Sequence, residues 1–367
     1  MGVLRPGPVR LTVGVRLLVP GNIRHNSGGN VYNARLAEGL QSLGISVEVL
    51  AVGGDWPDAG ITERRRLGTL LEEGEPAPGL TSAAVTVVDG LIACGAPDEL
   101  EAAAAAGHAA WVLLHMPFPG HAEGERRAMQ AAAGVICTSA SAADHVRKRH
   151  GITANVALPG TDTAPVAAGS DPVHIISVAA LLPNKSQLLL VEALAKLHDL
   201  EWTASLVGTD DADSAYAAEV RTAISSHGLD GRIRLTGQLA GQALAAEWHR
   251  SDLSVLVSRA EAFGLVVLES LACGIPVIVR AGTGAVDALA IGAGTVLPGA
   301  AVDLPGGESG EAEALAAALG RWLSDPVERS EWRAAALAAR DHLPGWESAA
   351  RKVAGILGVG PQVRHQA

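Results

Sequence analysis

The sequence predicts an α/β protein with room for two domains. Three observations carry this expectation. Short apolar runs alternate with longer segments of helical periodicity along the whole chain, the pattern of parallel strands joined by crossover helices. At 367 residues the chain is long for one average domain and comfortable for two. Its residues are 48% apolar, rich in alanine and glycine, which describes a well-packed globular chain and not a disordered one.

Charge and cysteine usage exclude some function classes. A net charge of −11 argues against nucleic acid, or an anionic membrane surface, as the main partner. Cys94, Cys137 and Cys273 show neither pairing nor metal-ligand spacing and read as small buried residues of a reducing compartment, so a cytoplasmic location is expected. The apolar run over 11–19 is short and carries Arg16, so it reads as a first strand and not as a signal peptide. Nothing approaches the roughly 18 uninterrupted apolar residues of a membrane span, and no stable membrane insertion is expected.

In order, strand 11–19 leads through a glycine-rich loop containing His25 to Asn30, with Gly28 and Gly29, into a helix whose apolar positions are Val31, Leu36, Ala37 and Leu40 and which stops at Gly44. Strand 46–52 follows. This is a mononucleotide-binding pattern, but without G-x-G-x-x-G it does not support a dinucleotide fold. Residues 53–82 read as a polar surface helix with a solvated charge face. Then come strand 85–92, helix 98–106, strand 111–114 ending at His115, helix 123–133, strand 135–138, and helix 141–149 with Ser141 as N-cap. A histidine at the carboxyl end of a parallel strand points into the ligand crevice. His145 and His150 lie five apart, off a common helical face, so a metal pair is not expected.

Residues 161–172, rich in Thr, Ala, Pro, Gly and Ser, read as a linker. The second half opens with strand 173–178, a loop holding Lys185 at the start of a helix that runs to Leu197, strand 202–208, helix 212–227, strand 232–236 ending at Gly237, and helix 243–249. Lys185-Ser186 lacks the upstream glycines of a P-loop. After strand 276–279 come the loop Gly282-Thr283-Gly284, a surface loop over 306–310, helices from Glu311 and Glu328, and a final helix to Leu357.

The most informative stretch lies between strands 253–257 and 276–279. It reads Ser258-Arg-Ala-Glu261-Ala-Phe263-Gly264-Leu265-Val-Val-Leu-Glu269-Ser-Leu-Ala-Cys-Gly274. A helix starting near Phe263-Gly264 and stopping at Gly274 would point the free N–H groups of Phe263, Gly264 and Leu265 at the crevice, with Gly264 letting an anion approach the backbone. Two carboxylates flanking an anion site suit a ligand that also carries hydroxyls, because a carboxylate can accept two hydrogen bonds from a diol.

The pattern Ser-x-x-Glu-x-Phe-Gly-Leu-x-x-x-Glu-x-x-x-x-Gly-x-Pro-Val resembles the signature of retaining family 4 glycosyltransferases (group 1 glycosyl transferases), which have the GT-B fold of two Rossmann-like domains facing a central cleft. The resemblance implies that Glu261 contacts the donor sugar, Glu269 the ribose of the sugar nucleotide, and the backbone of Phe263 to Leu265 the diphosphate. It places Gly28-Gly29 facing that diphosphate across the cleft and His115 at the family's active-site histidine. Backbone near Gly237 would read the base. The family loop Gly-Arg-Leu-x-x-x-Lys-Gly is kept at Lys185, but Ala180 stands at the arginine and Ser186 at the second glycine, so one cation is missing. Arg259 and Arg280 are possible substitutes. The implied domains are 1–163 with a crossover helix 345–358, and 172–344. The implied activity moves a hexosyl unit from a nucleoside diphosphate sugar to a small-molecule or glycan acceptor with retention. His115, Glu261 and Lys185 would form the catalytic set, with no metal and no cofactor. The absence of a basic amphipathic helix after Gly29 favours a soluble acceptor over a membrane lipid. The alternatives are a non-catalytic sugar-nucleotide-binding protein and a GT-B sugar-nucleotide epimerase.

Overall fold

The computed structural model describes residues 14–22, 27–72, 84–304 and 308–360. The start of the first expected strand (11–13), His25 and Asn26, the end of the 53–82 stretch, and Gly306 and Gly307 of the expected 306–310 loop lie outside the described residues, while residues 308–310 open a helix and not a surface loop.

The chain divides into two compact units: one runs to Pro159 and takes in the chain again from Trp346, the other is Gly160–Gly345. Unit 1 contains β1 (Val15–Pro20), α1 (Gly28–Ser42), β2 (Val47–Val52), α2 (Ile61–Glu72), β3 (Val85–Asp89), α3 (Gly90–Gly95), α4 (Pro97–Ala105), β4 (Trp111–Leu114), α5 (Ala122–Ala131), β5 (Gly134–Cys137), α6 (Ala140–His150) and β6 (Asn155–Val156). Unit 2 contains β7 (His174–Val178), α7 (Gln187–Ala195), β8 (Thr203–Val207), α8 (Ser214–Ser226), β9 (Ile233–Gly237), α9 (Gly241–His249), β10 (Leu253–Leu256), α10 (Leu265–Ala272), β11 (Val277–Arg280), α11 (Ala285–Leu289), β12 (Gly299–Val302), α12 (Glu308–Ser324) and α13 (Pro326–Ala339). The last helix, α14 (Trp346–Leu357), belongs to unit 1.

Each unit holds one six-stranded parallel sheet, ordered β2-β1-β3-β4-β5-β6 in unit 1 and β12-β11-β10-β7-β8-β9 in unit 2. Alternation along the strands sorts side chains to two faces. In unit 1, Leu17, Val87 and Leu113 pack with Leu36 and Leu40 of α1 and Ala350 and Val353 of α14. Their neighbours Leu18, Val88 and Val112 pack on the other face with Leu67, Ile92, Leu100 and Ala128. Both faces are therefore covered, as doubly wound sheets require. Close approach of α14 to α1 depends on Gly39, where a Cβ would lie 2.7 Å from that of Ala350.

Side-chain caps set several helix starts. Ser27 Oγ accepts from Asn30 N at 3.2 Å and begins α1, so Gly28 and Gly29 lie in the first helical turn and not in a loop as expected. Ser139 Oγ, not that of Ser141, caps α6, accepting from Ala142 N at 3.0 Å. The strand expected over 85–92 stops at Asp89, whose carboxylate accepts from Leu91 N at 2.9 Å and starts α3. β6 and β12 carry too weak an apolar run to be read from sequence.

The segment expected to be a linker is held to unit 2 along its length. Thr161 N donates to Pro344 O, Ala167 N to Cys273 O, Ala168 N to His249 O and Ser170 N to Asp252 Oδ2, while Arg340 Nη2 donates to Ala164 O. Its polar composition serves backbone pairing to neighbouring elements, which composition alone does not reveal.

At the amino-terminal edge of the unit 2 sheet, His174 is buried in a polar network. Nδ1 lies 2.7 Å from Thr203 Oγ1, and Nε2 lies 3.0 Å from Ser205 Oγ, 3.2 Å from Glu247 Oε1 and 3.1 Å from Arg250 Nη2. Burial first, then the facing Arg250, push the imidazole down to about 4. Burial pushes the Glu247 carboxyl up, but Ser205, Arg234 and Arg250 outweigh it and hold it below the usual range.

All three cysteines are free and buried, and burial pushes each thiol up. No helix among the described residues is long and apolar enough to cross a membrane.

Candidate active site

In open parallel sheets, ligands bind beyond the carboxyl ends of the strands where the strand order reverses. In unit 2 that point lies between β7 and β10, and the loops following these two strands meet. Asn184 ties them: its Nδ2 donates to Ala260 O at 3.2 Å, its Oδ1 accepts from Ala260 N at 3.1 Å, and its backbone O accepts from Arg259 N at 2.8 Å. Lys185 ends the β7 loop in a short 3₁₀ turn, and its Nζ lies 2.8 Å from Glu261 Oε2 of the β10 loop. The two side chains are 25% and 17% exposed, so the pair is open to a ligand while largely shielded from bulk screening. Two sequence-predicted residues 76 positions apart are thus in contact.

Glu261 is fixed from its other side. Its backbone O accepts from Gly284 N at 2.7 Å, and a Cβ at Gly284 would lie 1.9 Å from Ala262 O. The Gly282-Thr283-Gly284 loop therefore braces the carboxylate's backbone, a role that requires glycine. Gly264 adopts φ +87° and precedes α10 with no side-chain cap; the first turn closes with Val267 N donating to Gly264 O at 2.9 Å, so the amides ahead of it, Leu265 among them, have no intrahelical acceptor. Phe263 buries its ring with Leu256, Val267 and Leu268, anchoring the backbone that presents these amides. Glu269 lies on α10, four residues after Leu265, half-buried. Gly237 ends β9 with φ +70° and open space where a Cβ would stand.

The departures at Ala180 and Ser186 have structural content. Ser186 occupies the left-handed region, φ 58° and ψ 38°, where glycine is cheap, and it is the one non-glycine residue to do so among those described. Its buried Oγ has no hydrogen-bond partner. The loop keeps the glycine geometry at an energetic cost, a pattern found at functional sites. Arg280 does not replace the missing arginine. It is buried, donates to Val257 O at 3.1 Å and Leu304 O at 3.2 Å, and pairs with Glu311 at 3.1 Å, so its charge is spent bracing β11. The Arg259 side chain is exposed beside the Lys185–Glu261 pair in sequence.

In unit 1, His115 follows β4 at the carboxyl edge of the sheet. Its Nε2 lies 3.0 Å from Asn33 Oδ1 and 3.2 Å from Asp89 Oδ2, and Asn33 Nδ2 donates to Asp89 Oδ2 at 2.7 Å. Asp89 comes from the end of β3 and Asn33 from α1; both are at least 95% buried. Burial pushes the Asp89 carboxyl up, but the facing His115, the Asn33 amide and the Leu91 N–H together hold it below the usual carboxylate range. Tyr32 meets the His115 ring edge-on, centroids 5.4 Å apart, and donates its hydroxyl to Ala157 O at 3.0 Å. Gly29 lies against the same ring: a Cβ there would stand 3.0 Å from His115 Cδ2. Gly28 opens α1, one residue after the Ser27 cap.

Sequence reading missed Asp89 and Asn33. Asp89 was legible as a lone carboxylate inside an apolar run, a position at which strand residues are rarely charged. Asn33 offered no signal, because its partner lies 56 residues away.

The family model "Glycosyl transferases group 1" matches residues 161–338. A D-inositol 3-phosphate glycosyltransferase of Kineococcus radiotolerans is 30% identical over 191 residues, covering 49% of this chain and 43% of that protein. The chain spans less than half the length of the curated relatives it matches. Among solved structures, sucrose-phosphate synthase from Thermosynechococcus elongatus superposes with a TM-score of 0.75 at 18% identity, covering 94% of this chain and 98% of that one. Anabaena HepE, solved in complex with UDP and glucose, superposes with a TM-score of 0.68 at 19% identity, covering 94% and 99%. Residues 161–338 are thus a glycosyl transferase group 1 domain, and the chain has the two-unit α/β architecture of the GT-B fold.

Proposed function

We propose that this protein is a retaining glycosyltransferase that moves a hexosyl unit from a nucleoside diphosphate sugar to a soluble acceptor in the cytoplasm. The observation that carries the reading is the Lys185–Glu261 pair at the reversal of strand order, in the loop that leads into the uncapped start of α10. Departure of a nucleoside diphosphate leaves new negative charge on a phosphate oxygen. Lys185 and the amides at Gly264 and Leu265 offer a cation and fixed N–H dipoles for that charge. Glu261 accepts hydrogen bonds from the sugar hydroxyls, Glu269 from the ribose, and the backbone at Gly237 meets the base. His115, held by Asp89 and Asn33, serves the reacting sugar.

The family match over 161–338 supports the reaction class, and the UDP and glucose bound by HepE support a nucleotide-sugar donor. The relatives' names point to phosphorylated small molecules as the first acceptors to try, inositol 3-phosphate among them. The test is release of free nucleoside diphosphate from a panel of UDP-, GDP- and ADP-sugars with these acceptors. The anomeric configuration of the product is read by NMR. An α-linked product from an α-linked donor supports retention; an inverted product refutes it. Because Lys185 and backbone amides supply the positive charge, turnover is expected to survive excess EDTA, and loss of activity restored by magnesium or manganese would overturn that part. Binding without turnover of any donor would leave a sugar-nucleotide-binding protein.

A further inference from the structure

We propose that Asp89 is a positioning residue: with Asn33, it fixes the tautomer and orientation of His115, so that Nε2 carries the proton and Nδ1 is the ring nitrogen presented to substrate. The inference rests on the glycosyltransferase reading for what Nδ1 meets, but the tautomer itself follows from the geometry of unit 1 alone.

The argument is a count of donors and acceptors. Asp89 Oδ1 accepts from Leu91 N at 2.9 Å, which fixes the rotation of the carboxylate and aims Oδ2 at Asn33 and His115. Asn33 Nδ2 donates to that Oδ2 at 2.7 Å, which fixes the amide and turns its Oδ1 to His115 Nε2 at 3.0 Å. Among the described residues, His115 Nε2 therefore faces two acceptors, Asn33 Oδ1 and Asp89 Oδ2, and no donor. An unprotonated nitrogen there would set lone pairs against lone pairs at two buried sites, so Nε2 must hold the hydrogen. In the neutral ring Nδ1 is then the acceptor. Orientation is fixed as tightly: Tyr32 sits edge-on to the ring, Gly29 leaves no room on the Cδ2 side, and the Thr138 hydroxyl donates to His115 O at 3.2 Å.

A buried carboxylate is costly unless its lone pairs are satisfied. Capping α3 explains only one oxygen of Asp89. The other is occupied entirely by the Asn33–His115 assembly.

Asp89→Asn gives a directional outcome. The new side chain must keep its oxygen on Leu91 N, so its amide nitrogen takes the place of Oδ2. Asn33 must then flip to offer its oxygen, and its own NH₂ turns to His115 Nε2. Nε2 becomes an acceptor and the proton moves to Nδ1. The measurement is ¹⁵N NMR of histidine-labelled protein, with the His115 signals assigned by difference from His115→Gln. Wild type is expected to show protonated Nε2 and unprotonated Nδ1 at pH 8, and Asp89→Asn the reverse. Asn33→Ala, which leaves Asp89 Oδ2 as acceptor, is expected to keep the wild-type tautomer and covers the case in which Asp89→Asn does not fold. Protonated Nδ1 in wild type, a lost Nε2 proton in Asn33→Ala, or an unchanged tautomer in folded Asp89→Asn overturns the inference. The activity arm uses whichever nucleotide sugar in the panel turns over best. Asp89→Asn is expected to lower kcat by roughly 10²-fold or more, the scale of a mispositioned acid–base histidine, with donor KM within about threefold. A swapped tautomer with unchanged kcat overturns the positioning role. If no donor turns over even with wild type, the glycosyltransferase reading fails while the NMR result still decides the tautomer.

Discussion

Replacing Lys185 by alanine removes the cation nearest the proposed diphosphate and leaves its partner behind. The first loss is a charged hydrogen bond to phosphate, about 1.5–3 kcal/mol. The second comes from Glu261, which pairs with Lys185 at 2.8 Å. Without the lysine, an unpaired carboxylate faces the incoming anion. At roughly 5 Å and an effective dielectric of about 20 the repulsion is about 3 kcal/mol, and partial exposure of the site reduces it to about 1. Lys185→Ala should therefore weaken binding of bare UDP or GDP by about 2.5–4 kcal/mol, roughly 10²- to 10³-fold in Kd. Adding Glu261→Gln should recover about 1 kcal/mol of this, whereas Glu261→Gln alone should leave bare-nucleotide affinity within about threefold, because that ligand carries no hexosyl group for Glu261 to hold. Isothermal titration calorimetry on the four proteins measures all of these. If Lys185→Ala binds nucleoside diphosphate as wild type does, the β7 loop is not at the phosphates. If the second substitution recovers nothing, the coupling read from the ion pair is wrong.

Ser186→Gly should stabilise unit 2 by about 1–2 kcal/mol, since it relieves a left-handed backbone and an unpaired buried hydroxyl against the added freedom of an unfolded glycine. Ser186→Ala, which keeps the backbone cost, should gain less, and thermal melts that rank alanine at or above glycine would contradict the backbone argument. Glu269→Gln should mainly raise donor KM and weaken bare-nucleotide binding, while Glu261→Gln should mainly lower kcat; steady-state kinetics showing equal nucleotide loss in both would reverse the assigned roles. His174 protonates near 6.5 when unfolded but near 4 when folded, so between those values the unfolded state binds more protons. Stability should hold above about pH 6.5 and fall by up to about 3 kcal/mol as pH drops towards 4. Urea titrations across that range should show a shallower fall for His174→Gln, and parallel curves would refute the assignment.

Much of this architecture was legible from local patterns. Buried parallel strands read as continuous apolar runs, so β4, β10 and β11 emerged within a residue or so of their observed ends. The Glu261 to Gly274 stretch was legible because its glycines are backbone requirements: Gly264 and Gly274 adopt φ +87° and +69°. The weak strand Gly299–Val302 was not, because its partners along β11 supply the pairing that its own sequence does not announce.

What the tertiary structure decided is which distant residues meet. Composition marked 161–172 as a linker, but hydrogen bonds to Pro344, Cys273, His249 and Asp252 hold it to unit 2. Arg280 read as a substitute for the arginine missing at Ala180, but burial and Glu311 account for its charge. Asp89 read as the middle of a strand, yet it ends one, starts a helix and holds His115. The physical reason is the same in each case. Periodicity and turn chemistry act over a few residues and are written in the sequence itself. A hydrogen bond between Asn33 and Asp89, or an ion pair between Lys185 and Glu261, depends on strand order, and strand order is settled only when the sheet assembles.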